Sequence, residues 1–443
     1  MYTHLYYKSL IQDIKDGINK QLRCEIIDET IIEDKYFFKI YLKPDDVLIC
    51  PQCHSHDIML FGKKTRNFVD EYYTDSKAYI TLVYHRFKCK YCSKMFCDSV
   101  PVLNAKETIP MTLKLNVIED LKHDSSFTFI ANRRNVSVQT VINIFETYIH
   151  YERVPFGDVI CMDEFKNLKH SNGKYAFVMY DPNAHLINDI LPNRIQSTID
   201  DYLYTIDWKE KEKVKYVVTD MNESYRTLIK KHFRNATHII DCFHYLRYIE
   251  DAFNDVRIRI QGLYDSTSPE YKILKRNWRI LSSYEIKVDD GKTYYNHIQK
   301  RNTSIETVID DAVNINPELQ KAYTLTQSFL KGCKEVKFET AEYWLDSWLK
   351  ELIDCGLKEF YELRDMFFNW KKEILNSFIR FGDKRLHNGH IEGINNRIKV
   401  IKRVSFGYGN FTHFRNRIMH IINKNTIIKL VDKSQIIRKK RKK

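Results

Sequence analysis

The chain of 443 residues is 43% hydrophobic and 13% aromatic, which supplies core for roughly two to four globular domains. Lys and Arg outnumber Asp and Glu by 71 to 58, leaving a net charge of +13 that favours a polyanion partner, nucleic acid before anionic membrane. No apolar run approaches the ~20 residues of a membrane span, and the opening residues lack the basic, apolar, small-residue order of a signal peptide, so a cytoplasmic location is expected. The ten cysteines are scattered except for one cluster, which argues against a disulfide framework and for reduced thiols with a metal site.

Residues 1–45 mix polar stretches with strand-like pieces such as Tyr36 to Leu42 and carry no readable chemistry. Cys50-Pro-Gln-Cys53 and Cys89-Lys-Tyr-Cys92 then form two knuckles, separated by residues 54–88. Each can offer two thiolates to one tetrahedral zinc; an unmetallated or redox pair is the alternative. The gap exceeds that of compact zinc ribbons. It holds a β-like run from Ala78 to Lys88, so the knuckles are expected at the turns of a small sheet. Cys97, His54 and His56 are substitute ligands, and none completes a better pattern.

From Met111 to Tyr151 the apolar period becomes helical. Ile130 and Ala131 lie on one helix, Asn135-Val136 makes a short turn, and Ser137 caps a second helix buried through Val141, Ile142 and Phe145. This is helix-turn-helix spacing, with Gln139, Thr140 and Asn143 pointing outward where side chains reach base edges. A purely structural three-helix unit fits the same pattern.

After Pro155-Phe-Gly157 the period falls to two. Asp158 to Phe165 reads as a strand bearing Asp163-Glu164; Tyr175 to Tyr180 and His185 to Leu191 read as two more. A helix follows from about Ile195 to Tyr204. Val214 to Asp220 is a buried strand ending in another acid, then come a helix to about Phe233 and a strand near Thr237 to Ile240. Three strands, helix, strand, helix, strand is the order of a ribonuclease H-like core. Residues 243–380 are helical and aromatic-rich, and Trp344 with Trp348 at i and i+4 fits packing better than base stacking.

The segment from His387 to Ile418 closes the pattern. Ile391, Ile394, Ile398 and Ile401 recur at helical spacing as a buried face, while Glu392, Asn395, Asn396, Lys399 and Arg403 fall on or near the other side, with Lys402 adding charge. One carboxylate among amides and cations suits a divalent metal beside a phosphate backbone; a solvated face with an incidental Glu is the alternative. Asp163, Asp220 and Glu392 together form a candidate triad, able to hold two Mg²⁺ or Mn²⁺ ions for phosphoryl transfer. Glu164, adjacent to Asp163 on a strand, should point the opposite way.

The run Asn388-Gly-His-Ile-Glu392-Gly-Ile-Asn395-Asn-Arg-Ile-Lys399, with Gly407-Tyr-Gly-Asn-Phe411 and Phe414-Arg-Asn-Arg417, resembles the C-terminal signature of bacterial insertion-sequence transposases of the ISL3 family. Met162-Asp-Glu-Phe165 and Thr219-Asp-Met221 resemble its other catalytic blocks, and Asp241-Cys-Phe-His244 its Asp-x-Phe-His segment. The resemblance implies a multidomain α/β protein. Its parts would be a zinc-binding N-terminal region (residues 1–105), a helix-turn-helix (106–153), a ribonuclease H-like mixed α/β core (154–253 and 380–424) interrupted by an all-α insertion (254–379), and a basic tail (425–443). It also implies a DDE-type transposase that binds the terminal inverted repeats of its element and target DNA as a dimer. Asp163, Asp220 and Glu392 would hold Mg²⁺ or Mn²⁺, Cys50, Cys53, Cys89 and Cys92 a structural Zn²⁺, and His244 an accessory role or a place as an ordinary core histidine. An inactive DNA-binding regulator and a stand-alone nuclease of the same fold are the rival readings.

Overall fold

The computed structural model describes residues 10–16, 23–33, 35–73, 76–98, 108–169, 171, 173–282, 292–297, 300–382, 384–405 and 408–424. Gly407 of the C-terminal signature and the basic tail lie outside the described residues. The chain divides into two compact units, residues 1–152 with 396–443, and residues 153–395.

The first unit opens with a short helix, α1 (Leu10–Lys15), and strands β1 (Cys24–Ile32), β2 (Lys35–Leu42), β3 (Ile58–Tyr73), β4 (Ser76–Cys89) and β5 (Met95–Cys97). They form one sheet in the order β1-β2-β4-β3, with β5 against β4 and only β2 and β4 parallel. Alternate residues Phe38, Ile40 and Leu42 of β2 and Ala78, Ile80 and Leu82 of β4 point to one buried face, which α1 covers with Leu10 and Ile11. Buried Asp70 ties this sheet to its neighbours, accepting the Leu10 N–H at 2.9 Å and the Thr112 hydroxyl at 3.4 Å. Helices α2 (Met111–Asp120), α3 (Phe127–Arg133) and α4 (Val138–Tyr148) pack through Leu113, Val117, Ile130, Val141, Ile144 and Phe145. Ser126 and Ser137 cap α3 and α4, each accepting an N–H from the first turn. Asn135, at φ 53°, makes the left-handed turn between them. Ile144, not Ile142, completes the buried stripe of α4. Positions 141, 144, 145 and 148 share one helical face, and position 142 is turned away from it.

The second unit begins with β6 (Val159–Lys166), β7 (Tyr175–Asp181), β8 (Leu186–Leu191), α5 (Gln196–Tyr204), α6 (Trp208–Glu212), β9 (Tyr216–Thr219), α7 (Glu223–His232) and β10 (Thr237–Ile240). The sheet order is β10-β9-β6-β7-β8. β6, β7 and β8 form an antiparallel meander, and β9 and β10 run parallel to β6. Ile160, Met162, Phe177 and Met179 of the sheet bury against Ile199 and Leu203 of α5 and Leu228 and Ile229 of α7.

A helical segment follows: α8 (Cys242–Gln261), α9 (Pro269–Arg276), α10 (Trp278–Leu281), α11 (Ile305–Val313), α12 (Pro317–Glu335), α13 (Phe338–Asp354) and α14 (Tyr361–Asn376). Between α10 and α11 lies a hairpin, β11 (Tyr294–Asn296) with β12 (Arg301–Thr303), where only helix was expected. Three-residue strands are too short to leave a period-two signal. Trp348 is buried with its Nε1–H on the Leu325 carbonyl at 3.0 Å, and Trp344 packs on Phe329, so both serve the helical core. Arg226 of α7 stacks on Trp370 and pairs with Glu373 at 3.0 Å, fixing α14 beside the sheet.

A two-residue hairpin, β13 (Arg380–Phe381) with β14 (Lys384–Arg385), leads to α15 (Gly389–Val404) and α16 (Phe411–Ile422). The division between units falls inside α15, between Asn395 and Asn396. In the first unit, Arg417 of α16 is 1% exposed and donates to the Leu121, His123 and Ser125 carbonyls. These oxygens lie at and beyond the C-terminal end of α2, where a cation is favoured. His420 donates to the Ile118 carbonyl at 2.9 Å and accepts from the Tyr151 hydroxyl at 2.8 Å. Burial pulls its pKa down to about 3, so the ring is neutral.

Candidate functional site

Two clusters of ligand-bearing side chains stand out among the described residues. The first is Cys50, Cys53, Cys89 and Cys92, whose sulfurs all lie within 4.8 Å of one another. Strand register explains how the long gap between the knuckles closes. β3 leaves the first knuckle and β4 returns to the second, ending with Ile58 paired to Cys89. The two knuckles repeat one backbone design. His54 donates its N–H to the Cys50 carbonyl and Ser93 to the Cys89 carbonyl, each at 3.0 Å, and both sit in the left-handed region at φ 57° and 60°. Cys50 and Cys92 sulfurs are 3.5 Å apart and those of Cys53 and Cys89 3.6 Å. Four sulfurs about 2.3 Å from a tetrahedral zinc would be about 3.8 Å apart, so the set fits zinc. Cys97, His54 and His56 are not part of the cluster.

The second cluster grows from the sheet of the second unit. Parallel register pairs Cys161 of β6 with Val218 of β9, and Thr219 of β9 with Ile240 of β10. Two residues past the first pair each strand carries an acid, Asp163 and Asp220; one residue past the second pair come Asp220 and Asp241. Three neighbouring parallel strands thus bring three aspartates side by side, Asp163 inside β6 just beyond its last pair with β9, and Asp220 and Asp241 directly past the ends of β9 and β10, with neighbouring strands about 4.8 Å apart. Such ends are where open α/β sheets place ligands. Burial first, and then the Asp220 carboxylate, push Asp163 up to about 7. Asp220 accepts from His244 Nε2 at 2.7 Å, and that contact holds the imidazole above its ordinary pKa. Asp241 caps α8, is only 5% exposed, and lies with Asp220 and His244 so that their ligand atoms converge within 4.8 Å. Burial holds it above the usual carboxylate range.

Helix α15 reaches the same acids through amides. Asn395 Nδ2 donates to Asp163 Oδ2 at 2.7 Å, and Asn388 Nδ2, just before the helix, lies 3.4 Å from Asp220 Oδ1 and from the Met162 carbonyl. Both asparagines are buried, and the Oδ1 of each has no hydrogen-bond partner. Glu392 lies between them in sequence, four residues after Asn388 and three before Asn395, on the same helical face. It is exposed, and it belongs to neither cluster of converging ligands. Asn395, expected on the outer face, is thus turned inward and engaged with Asp163. Glu164 is committed elsewhere, accepting from the Tyr225 hydroxyl and from Arg194.

The remaining expected residues are distributed as follows. On α4, Gln139 donates to Asn143 at 2.9 Å, both exposed, and the Thr140 hydroxyl meets that of Ser137. Lys399 and Arg403 are exposed on α15, with Lys399 donating to Asn396 at 3.0 Å; Lys402 is half-buried. Asp241 and Asn388 were missed as site residues by sequence reasoning. Asp241 carries the signal that found Asp220, an acid directly after a short buried strand. Asn388 carries none, because its role follows from where the turn before α15 lies.

A family model described as transposase, of the ISL3 type, matches residues 160–418. The chain is 22% identical over 385 residues to the transposase for insertion sequence element IS1001 of Bordetella parapertussis, covering 85% of this chain and 89% of that protein. It is also 30% identical over 113 residues to an ATP-dependent protease of Lactococcus lactis subsp. lactis, which spans 25% of this chain and 33% of that protein. No helix among the described residues is long and apolar enough to cross a membrane. The family match covers more than half of the chain, from β6 into α16, and takes in Asp163, Asp220, Asp241 and Glu392: the chain belongs to the ISL3 family of insertion-sequence transposases.

Proposed function

We propose that this transposase binds the terminal inverted repeats of its element and cuts and joins DNA at a metal site formed by Asp163, Asp220 and Glu392. The observation that carries the reading is the register of β6 and β9, which sets Asp163 and Asp220 at the same level on adjacent parallel strands. A half-buried acid raised by burial and then by a neighbouring acid suits a site built for divalent cations, and an all-oxygen donor set suits Mg²⁺ or Mn²⁺. Asp163, Asp220 and Glu392 would hold such ions, whose chemistry there would be activation of an attacking water or 3′-hydroxyl and stabilisation of the leaving oxygen. The chain's own residues prepare the geometry. Asn395 orients Asp163 and Asn388 sits against Asp220, while Glu392 stands exposed on the helical face between them. The sheet order, a meander followed by two parallel strands, supports a ribonuclease H-like core.

End recognition is assigned to the first unit. A left-handed turn at Asn135 and a Ser137 cap before α4 support a helix-turn-helix, with Gln139, Thr140 and Asn143 at base edges. The thiolate knuckles support a zinc module beside it. Asp163→Asn, Asp220→Asn and Glu392→Gln test the catalytic assignment with the full-length protein and DNA carrying the element's ends. Each should abolish Mg²⁺-dependent strand cleavage and transfer while end binding persists, and each should be about as damaging as all three together. Cleavage by all three variants would refute the assignment and favour a binding regulator.

A further inference from the structure

Asp220 is the middle acid of the row formed with Asp163 and Asp241, and only one of its flanks is used by the proposed catalytic set. On the other flank its carboxylate, that of Asp241 and the His244 imidazole bring three ligand atoms within 4.8 Å of one another. The arrangement is fixed by backbone. The Asp241 N–H extends the β9–β10 ladder to the Thr219 carbonyl at 3.0 Å, and Asp241 then caps α8, whose first turn carries His244 three residues on. Asp241 is buried, yet the backbone hydrogen bond its carboxylate accepts is a long one, from the Phe243 N–H at 3.4 Å. Among the described residues no Lys or Arg forms an ion pair with it. The groups of opposite sign facing it are the imidazoles of His244, itself paired with Asp220, and of His387; two carboxylates converging on His244 leave negative charge that a bound cation would balance.

We infer that Asp220, Asp241 and His244 form a second divalent-cation site, selective for a transition metal over Mg²⁺ and sharing Asp220 with the catalytic set. Two carboxylates and one imidazole make a mixed oxygen and nitrogen donor set. Mg²⁺ prefers oxygen ligands in near-ideal octahedral geometry and sheds water reluctantly, whereas imidazole suits transition metals. The neighbouring Asp163 and Glu392 supply oxygen only, so the two flanks of Asp220 should discriminate between cations. Strand register and donor chemistry define this second site, which stands apart from the catalytic assignment even though both use Asp220.

The test uses the full chain carrying one zinc, enough to fill the thiolate set and no other, with Mn²⁺ as probe, followed by its electron paramagnetic resonance in the presence of excess Mg²⁺. Thiolate knuckles select zinc and do not compete for Mn²⁺. Wild-type protein should keep one Mn²⁺ that Mg²⁺ fails to displace. His244→Ala and Asp241→Asn should each weaken that binding at least about tenfold, while Asp163→Asn retains it. His244 is 39% exposed at its side chain, so His244→Ala should keep the fold, checked by its unfolding curve, and decides the matter should Asp241→Asn prove unstable. Mn²⁺ binding unchanged in His244→Ala, or displaced by Mg²⁺ as readily in wild type as in the variant, overturns the inference. Strand cleavage by Asp163→Asn would instead overturn the catalytic reading and leave this site standing.

Discussion

Replacing Asp163 with Asn should stabilise the metal-free protein at neutral and alkaline pH, a reversal of the usual cost of altering a half-buried residue. The folded unit holds Asp163 at about 7 against an ordinary 3.8, because burial and then Asp220 disfavour its charge. The unfolded chain therefore releases this proton near pH 4 and the folded chain only near pH 7. Across that window the folded state binds more protons, so stability falls as pH rises and stays low above it. At about 1.4 kcal/mol per tenfold the ceiling is about 4 kcal/mol; water reaching the partly open carboxylate should leave about half of that. Asn accepts the Glu164 N–H in place of Asp163 Oδ1, and its amide faces Asn395, whose partnerless Oδ1 can flip to receive it. The substitution should thus add about 2 kcal/mol at pH 8 and nothing at pH 4. All five tryptophans lie between residues 208 and 370, inside the second unit, so urea unfolding followed by tryptophan fluorescence reports this unit. Mg²⁺ should stabilise wild type and leave Asp163→Asn unmoved. Equal stability of the two proteins at pH 8 without added metal, or a gain that grows toward pH 4, would refute the electrostatic account.

Other consequences are open to measurement. Elemental analysis of purified protein should find about one zinc per chain, and Cys53→Ser should lose it together with the fold of the knuckles; a metal-free yet folded first unit would contradict the tetrahedral site. Arg417→Met removes a buried cation from three carbonyls and should destabilise the first unit by about 3 kcal/mol or more, read as increased proteolysis of α2 and α3; an unchanged cleavage pattern would deny α16 that role. Gln139→Ala with Asn143→Ala should lower affinity for the element's ends by about 1–3 kcal/mol for each base these side chains read and barely alter affinity for unrelated DNA, as seen by gel shift; equal weakening on both would remove α4 from base reading. Binding to either DNA should weaken steeply with salt.

What the sequence determined alone is what depends on neighbours within a few residues. The Cys-x-x-Cys knuckles, the serine caps before α3 and α4, the period-two strands around Asp163 and the isoleucine stripe of α15 are all local, since capping, pleat and helical pitch act over one or two turns. Asp163 and Asp220 could be singled out as candidates for the same reason, as acids following runs of buried strand residues, although Asp163 lies inside β6 and not at its end. Tertiary structure decided which local features meet. Register along β3 and β4 closes a gap of 35 residues into one sulfur cluster, and register among β6, β9 and β10 adds Asp241 to a row in which local pattern alone picks out two acids. Asn395 looked solvent-facing because its amphipathic helix has one apolar stripe; its burial comes from Asp163, which is 232 residues away in the chain. Arg417 likewise reads as a surface cation, and its burial depends on carbonyls that become available only where α2 ends. Polar contacts across such distances leave no periodicity in a sequence, because the partner that satisfies each group is set by the fold and not by the neighbouring residues.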